Sequence, residues 1–361
     1  MKIRTWTCGL LLSIAASTPA LAWDYQGHEM VGAIADQLLT NNAKQKVQEI
    51  LGFTLQVAAP WPDCVRSVVH KDDGSFSYLP DYLHPEYRTP CEAFETKIKD
   101  PEISPEQRRM EDYAKRNWYN CTYIVGKAGG CHQAFHFADV AIQRDGYDRR
   151  HVGTNDHDVV SAINACITVL QEWPGPSPTP QDRPAPAPFS IKDKKEALFL
   201  LAHFVGDLHQ PLHVGAIYLD PKGMRVDPDA TGLNPNTETQ GGNAIDDGKD
   251  NLHHEWDEIP KALVLPPDPA MLDYAKGVSL TPGPIKNWAA IWASETIKQA
   301  REAFDGLTFS LEPPKFPDSP PRWDVHFADR HAYEQNADKI KRAQLAKGGA
   351  RLAQILNAIW H

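Results

Sequence analysis

The stretch HFVGDLHQPLH, residues 203–213, places three histidines and an aspartate inside an apolar run. Apolar residues upstream of it, from Ala197 onward, recur at helical spacing, and Pro211 marks the end of the run. In a helix, His203 and Asp207 point from one face because they are four residues apart. Burying such groups without partners destabilises a fold by a few kcal/mol. The stretch therefore predicts a packed helix whose polar groups are compensated by partners from elsewhere in the chain.

The rest of the chain favours the same secondary structure. Apolar stripes at helical spacing occur in four segments, Met30 to Leu39, Val159 to Leu170, Ala197 to Leu208 and Ala328 to Trp360. Convincing alternation of the kind typical of strands is absent from the sequence. Three excursions are rich in proline, glycine or polar residues, at 172–189, 216–242 and 311–322. We therefore expect an all-α protein in which residues 23–361 form a single mainly helical domain with long irregular surface loops.

The amino-terminal segment has the organisation of a secretory signal peptide. Lys2 and Arg4 provide a positive start, an apolar run extends from Leu10 to Ala16, and Ala20-Leu21-Ala22 is a small-x-small cleavage site. The apolar run is too short to span a bilayer, which requires about 20 such residues. We expect residues 1–22 to be removed, which makes Trp23 the new terminus of a secreted or periplasmic protein without a stable membrane anchor. A retained anchor is the alternative.

Cleavage would change the cysteine count and the charge of the chain. Five cysteines would remain, at positions 64, 91, 121, 131 and 166, and two disulfides with one free thiol are the simplest arrangement in an oxidising compartment. The formal net charge of −10 would become −12, because Lys2 and Arg4 are lost and the removed segment contains no acid. This charge argues against broad counterion release on duplex DNA. Bound divalent cations would nevertheless add positive charge at a site.

Histidine and aspartate recur at a spacing that suits a metal site. His253 and Asp257, in NLHHEWD, repeat the four-residue spacing of His203 and Asp207, and His213 follows the proline that ends the predicted helix. Nitrogen and oxygen donors without cysteine fit zinc. A helical hydrogen bond between histidine and aspartate is the alternative for either pair taken alone.

The expected mature terminus adds two further donors. Trp23 would carry a free α-amine, whose ordinary pKa of about 8 lets a metal displace its proton near neutral pH. His28 follows at the start of the first apolar stripe. The alternative is a frayed terminus with a surface histidine.

Together these pieces resemble the zinc-dependent single-strand nucleases of fungi, plants and bacteria, often called the S-one/P-one type. The matching pieces are Trp23 with GHEMVG, WPDCVR at 61–66, FHFAD at 135–139, HFVGDLHQPLH, GGN at 241–243 and NLHHEWD. They are spread over roughly residues 23–257, and beyond that point only the helical character agrees. The resemblance implies the mainly helical fold that these nucleases share with zinc-dependent phospholipase C.

The resemblance also implies three zinc ions. By this correspondence the first zinc would be held by Asp63, His136, His203 and Asp207, the second by His213, His253 and Asp257, and the third by Trp23, His28 and a bridging Asp207.

The activity implied is hydrolysis of single-stranded DNA or RNA to 5′-nucleotides, often with 3′-nucleotidase activity. Asp63 would orient the attacking water as well as bind zinc, and Arg66 would clamp the phosphate through charge-assisted hydrogen bonds. Phe137 would stack on an unpaired base, which is worth about 1–3 kcal/mol, and Asp139 would accept hydrogen bonds from that base. We expect a monomer with single-stranded nucleic acid and nucleotides as substrates.

Two insertions depart from the pattern of these nucleases. Asp63 and His136 are 73 positions apart, which is more than is usual in the family. The residues between them include Cys91, Cys121 and Cys131, and we expect a disulfide-stapled flap beside the cleft. The second insertion, residues 216–242, would lie at the far wall of the pocket.

Two other functions compete with the nuclease. Zinc-dependent phospholipase C has a similar fold and ligand set, but it typically has glutamate where Asp257 stands and lacks the WPDCVR element. A secreted zinc-binding protein without catalysis would need neither Arg66 nor Phe137. The sequence favours the nuclease over both.

Overall fold

The computed structural model describes residues 23–80, 88–97, 102–119, 129–172, 189–314 and 319–361. The helices in these ranges are α1 Tyr25–Leu38, α2 Asn41–Leu51, α3 Leu55–Ala58, α4 Trp61–Val65, α5 Arg88–Cys91, α6 Pro105–Arg116, α7 Val159–Glu172, α8 Lys194–His209, α9 Pro228–Thr231, α10 Leu252–Asp257, α11 Pro269–Lys276, α12 Trp288–Ala303 and α13 Arg330–Ile359. The expected all-α class with a mainly helical architecture is confirmed.

Short strands accompany the helices. They are β1 Val68–His70, β2 Phe76–Tyr78, β3 Val140–Ala141, β4 Gly215–Ala216, β5 Tyr218–Leu219, β6 Arg225–Val226, β7 Ile245–Asp246, β8 Leu307–Leu311 and β9 Trp323–Phe327. Among the described residues the largest sheet has three strands in the order β7-β9-β8, and the other strands form pairs.

The expectation that strands are absent is wrong for the hairpin of β8 and β9. Both strands bury alternate residues, and the antiparallel register pairs Leu307 with Phe327 and Leu311 with Trp323. Each strand has only five residues, and the proline-rich stretch between them separates the two halves of the pattern. An alternation this brief is therefore difficult to distinguish from loop sequence.

Helix α8 is the buried centre of the fold. Its first turn is capped by Asp193, whose side chain accepts a hydrogen bond from the main-chain N–H of Glu196. Every residue from Glu196 to His209 is buried, and α1, α7, α12 and α13 pack around the helix. Gln210 ends it, and Pro211 opens a 3-10 turn to His213. Residues 203–213 thus form the buried last part of α8 and the tight turn that follows it.

A close crossing holds α1 against α13. A Cβ atom at Gly349 would lie 2.5 Å from the Cβ of Ile34 and 2.9 Å from the carbonyl oxygen of Val31. Only glycine allows the two backbones to approach this closely. Because α13 also packs against α8, this crossing holds α1, which carries His28, beside α8.

Several sequence expectations fall partly or wholly outside the described residues. These are the signal peptide at 1–22, most of the connector at 172–189, and Cys121. Within the described part, Cys64 and Cys91 form a disulfide and Cys166 is a buried free thiol. None of the helices that the structure describes has both the length and the apolar character needed to cross a membrane.

Candidate functional site

The residues expected to bind metal converge in the interior of the helical fold. All are buried, with at most 5 % of the residue exposed, and they are Trp23, His28, Asp63, His136, His203, Asp207, His213, His253 and Asp257. The histidines and aspartates among them form three groups in which one ligand atom of each residue lies within 4.8 Å of the others: His28, Asp63 and His203; His136, His203 and Asp207; and His213, His253 and Asp257.

Asp207 is at the centre of the first cluster. Its Oδ2 atom lies 3.0 Å from His136 Nδ1 and 3.3 Å from His203 Nε2. Its Oδ1 atom lies 3.3 Å from His28 Nε2. The rings of His28 and His203 stack with their centroids 3.7 Å apart. One carboxylate therefore faces three imidazoles.

Asp63 joins this cluster from the short helix α4. Trp61 anchors α4 by stacking on Phe199 of α8, with ring centroids 5.0 Å apart. Asp63 Oδ1 then lies 3.8 Å from His203 Nε2 and 3.6 Å from Nη1 of Arg66. The helix brings a carboxylate and a nearly buried guanidinium to the same edge of the cluster.

A second cluster contains His213, His253 and Asp257. The Nε2 atoms of the two histidines are 3.1 Å apart. His213 Nε2 lies 3.8 Å from Asp257 Oδ1, and His253 Nε2 lies 3.6 Å from Oδ2. Gln210 Nε2 donates to Asp257 Oδ1 at 2.6 Å, which fixes the carboxylate.

Main-chain carbonyls fix the tautomers of these rings. His203 Nδ1 lies 2.8 Å from the oxygen of Ala59, and His213 Nδ1 lies 2.9 Å from the oxygen of His136. His253 Nδ1 lies 2.7 Å from the oxygen of Gly241. A carbonyl oxygen only accepts, so each Nδ1 carries the proton, and each Nε2 presents a lone pair when the ring is neutral. The three Nε2 atoms therefore have the form of metal ligands.

The uncompensated polar atoms of the clusters fit bound cations. Both oxygens of Asp63, Nδ1 of His28 and Oδ2 of Asp257 are buried and make no hydrogen bond to the described chain. The lone pairs on His213 Nε2 and His253 Nε2 face each other. Such an arrangement costs free energy unless a cation lies between the groups. A set of imidazole nitrogens and carboxylate oxygens is the donor chemistry that zinc prefers.

The chain at Trp23 is fastened to the same region. Its indole Nε1 donates to the carbonyl oxygen of Gly206 on α8 at 2.9 Å. The next residue, Asp24, donates from its main-chain N–H to the carbonyl oxygen of Asp257 at 3.0 Å. The expected new terminus therefore lies between the helices that carry the two clusters.

Electrostatics in the clusters reflect burial and mutual charge. Burial, together with the nearby Asp207, Asp24 and Asp63, raises the pKa of Asp257 well above its usual value. Burial also opposes the charge of Asp207, but the surrounding histidines outweigh it and hold the pKa of Asp207 well below its usual value. Burial lowers the pKa of His136 to about 4. A neutral His136 keeps a lone pair available for a metal.

Phe137 and Asp139 follow His136 at the edge of the site and are half-buried. Burial, and then the charge of Glu238, raises the pKa of Asp139 to about 7. Gly241, from the GGN stretch, lies nearby with φ +59°, and a Cβ there would be 2.5 Å from the oxygen of Leu212 and 3.5 Å from Asp139 Oδ1. Glycine is required at this position, where the backbone also supports His253.

Some nearby residues with relevant contacts were not predicted from the sequence. Gln210 holds Asp257, and the carbonyls of Ala59 and Gly241 orient histidines. Gln210 could have been noticed, because it is a polar residue within the quoted stretch. The carbonyls carry no signal, since every residue has one. His209 is not among the expected ligands. It is buried, and its ring hydrogen-bonds Arg351 and the carbonyl oxygen of Val205 instead.

Comparison with known proteins identifies the family of the chain. The profile of the S1/P1 nuclease family matches residues 23–361. Endonuclease 1 of Arabidopsis thaliana is 41 % identical over 66 residues, which are 17 % of this chain and 15 % of that protein. Endonuclease 4 of the same plant is 30 % identical over 191 residues, 46 % of this chain and 50 % of that protein. The matches therefore span at most half the length of these relatives. The family profile covers both histidine–aspartate clusters, and the chain belongs to the S1/P1 nuclease family.

Proposed function

We propose that this nuclease is a secreted or periplasmic zinc enzyme that hydrolyses single-stranded nucleic acid to 5′-nucleotides, with accompanying 3′-nucleotidase activity. We propose further that residues 23–361 act as one domain after removal of the signal peptide. The observation that carries the metal assignment is the 3.1 Å approach of His213 Nε2 to His253 Nε2. Both atoms present lone pairs, because both Nδ1 atoms donate to carbonyls.

The residues would divide among three zinc ions as follows. One zinc would be held by Asp63, His136, His203 and Asp207, one by His213, His253 and Asp257, and one by Trp23, His28 and Asp207. When bound, zinc supplies a Lewis acid for phosphoryl oxygens and lowers the pKa of a water molecule.

Asp63 and Arg66 would act on the reacting groups. Both carboxylate oxygens of Asp63 lack a hydrogen-bond partner in the described chain, so Asp63 is able to accept a hydrogen bond from a water and orient it. Arg66 lies 3.6 Å from Asp63 and is nearly buried. Its planar guanidinium would donate to phosphate oxygens and stabilise the charge that develops there.

Preference for single strands would come from Phe137 and Asp139. An aromatic ring stacks on a base only when that base is free of its neighbours, and this contact is worth about 1–3 kcal/mol. The carboxyl of Asp139 reaches the Watson–Crick edge only when that edge is unpaired. A duplex offers neither contact without being opened.

Secretion is supported by the redox state of the chain and by the position of Trp23. The disulfide between Cys64 and Cys91 suits an oxidising compartment. Signal-peptide cleavage before Trp23 would create the α-amine that the third zinc requires.

The decisive experiment measures metal content and substrate choice on the processed protein. We expect about three zinc ions per chain by elemental analysis, cleavage of single-stranded DNA or RNA in preference to duplex, and products with 5′-phosphates. Turnover of phosphatidylcholine without turnover of nucleic acid would identify a phospholipase C instead. Zinc-loaded protein that hydrolyses neither class of phosphoester would identify a zinc-binding protein.

A further inference from the structure

A group of aromatic side chains lies on the long insertion, away from the metal ligands. His70, at the end of β1, stacks on Phe76 of β2 with centroids 4.7 Å apart and an interplanar angle of 30°. Trp118, just beyond α6, meets Phe76 edge-on at 5.2 Å and lies 5.8 Å from His70. The ring of Tyr119 meets His70 edge-on at 6.0 Å. We call these four residues the stacking cluster.

The stacking cluster lies at the surface, where Phe76 packs against the edge of the core. Tyr119 is 63 % exposed, His70 is also exposed, and Phe76 and Trp118 are only half-buried. Core aromatics such as Phe135 are completely buried. Apolar rings left in water contribute little to folding, and grouped exposed rings mark contact surfaces.

Two chain connections join the stacking cluster to the proposed nuclease site. His70 is four residues after Arg66, so their Cα atoms are at most about 14 Å apart. On the other side, the oxygen of Trp118 accepts from the main-chain N–H of Cys131 at 3.2 Å, and the ring of His132 meets Trp118 at 6.0 Å. His132 is four residues before His136, again at most about 14 Å. The cluster is therefore within reach of both the phosphate-clamping and the base-stacking elements.

We propose that the stacking cluster is a second base-binding subsite, which holds unstacked bases of a single-stranded polynucleotide beside the bond that is cleaved. The inference rests on the proposed nuclease function and extends it to longer strands. Aromatic rings stack on every base, so this subsite would not depend on sequence. The expected net charge of the mature chain is −12, because the −10 of the full chain loses the two cations of the signal peptide. A positive field over the whole protein therefore does not supply the affinity for a polynucleotide.

A polynucleotide suits the stacking cluster better than a protein partner does. The two exposed rings, His70 and Tyr119, offer at most about 500 Å² even if both were fully accessible. A stable protein interface covers about 800 Å² on each partner. One or two stacked bases match the smaller area.

The test compares substrates of two lengths on the zinc-loaded enzyme. A double variant with His70→Ala and Tyr119→Ala should raise KM about tenfold for a single strand of about 12 nucleotides. KM for a dinucleotide, which spans only the cleaved bond, should change less than about twofold, because the substrate ends before the cluster. The variant His70→Phe with Tyr119→Phe keeps aromatic rings and should restore the lower KM. Tyr274→Ala, at another exposed tyrosine that is 48 % exposed, is the matched control and should leave both substrates unchanged.

Three results would overturn the subsite. These are an unchanged KM for the long strand, an equal rise for both substrates, or a wild-type dimer that the double variant converts to a monomer. If the wild-type protein cleaves neither substrate, the proposed function fails. Fluorescence anisotropy of a labelled single strand then still tests the subsite. If the subsite exists, the alanine variant should bind that strand about tenfold more weakly than the wild type.

Discussion

The buried ammonium of Lys341, on α13, donates to the main-chain oxygen of Glu258 at 2.9 Å, directly beyond the end of α10. It also donates to the oxygen of Glu255 within that helix. A cation at the C-terminus of a helix satisfies carbonyls that have no intrahelical partner. Because α10 carries His253 and Asp257, this contact connects the longest described helix to the proposed metal site.

Replacing Lys341 with methionine should therefore weaken both the fold and metal binding. Two carbonyls would lose a buried donor, and we expect the free energy of unfolding to fall by about 2–3 kcal/mol. Zinc affinity should fall about 10- to 100-fold, as for other losses of groups that orient ligands. Chelator competition and denaturant melts measure the two effects. Lys339→Met, an exposed lysine on the same helix, is the control, and equal behaviour of the two variants would contradict the role of Lys341.

Removal of metal should destabilise the whole chain rather than one loop. Six of the nine proposed ligands lie on α1, α4, α8 and α10 and all nine are buried, so removal of metal would leave unpaired carboxylates inside the core. Zinc held at about 1,000 times its dissociation constant contributes about 4 kcal/mol to stability. We expect chelation to lower the melting temperature in a single transition and zinc, but not magnesium, to restore it. A melting temperature insensitive to chelator would count against a metal centre.

Two substitutions on one helix separate metal binding from packing. Asp207→Ala should remove zinc and reduce kcat by at least about 100-fold, because Asp207 faces three imidazoles. His209→Ala should lower the melting temperature, since His209 hydrogen-bonds Arg351 and Val205, but it should leave zinc content and kcat unchanged. Elemental analysis alongside steady-state kinetics distinguishes the two. Equal loss of zinc in both variants would refute the assignment along α8.

An extra residue before Trp23 should interfere with one metal. The added residue converts the proposed ligand amine into an amide, which does not bind zinc by displacing a proton. We expect one zinc ion fewer per chain and a large loss of activity, measured on protein whose terminus is verified by mass spectrometry. Normal zinc content and turnover in the extended protein would rule out the amine as a ligand. A same-length extension at the carboxyl terminus serves as the control.

The ion pair of Arg116 with Glu196 should contribute to the free energy of unfolding and not to kcat. Arg116 Nη2 lies 2.6 Å from Oε1 of the fully buried Glu196, in the first turn of α8. Arg116→Ala removes the ion-pair partner of that carboxylate but leaves its hydrogen bond from the Lys192 main-chain N–H. Because the arginine is also partly exposed, we expect a loss of about 2–3 kcal/mol, below the roughly 3–5 kcal/mol of fully buried pairs. Arg150→Ala breaks an exposed, solvent-screened pair with Asp148 and should leave the urea midpoint unchanged. Urea melts measure both, and kcat should be unchanged in each.

The helices and the histidine–aspartate pairs within them were predictable from different features of the sequence. Apolar stripes such as Met30, Val31, Ile34 and Ala35 of α1 recur at helical spacing, so the period is visible in the sequence. The pairs at 203 and 207 and at 253 and 257 share a helical spacing, and this spacing alone predicts that the two members of each pair lie on one helix face. The β8–β9 hairpin was missed because each strand is short. The carbonyl of Ala59 was missed because its role depends on position in the fold and not on residue type.

The disulfide between Cys64 and Cys91 covalently ties α4 to α5. Cys64 stands between Asp63 and Arg66, the two residues proposed to face the scissile phosphate, so the cross-link restrains the backbone that aims both of them. Under reducing conditions that backbone would be held by packing and its own hydrogen bonds, without a covalent restraint. With the proposed export, the cross-link would form, and restrain Asp63 and Arg66, only after the chain has left the nucleic acids of the cell that made it.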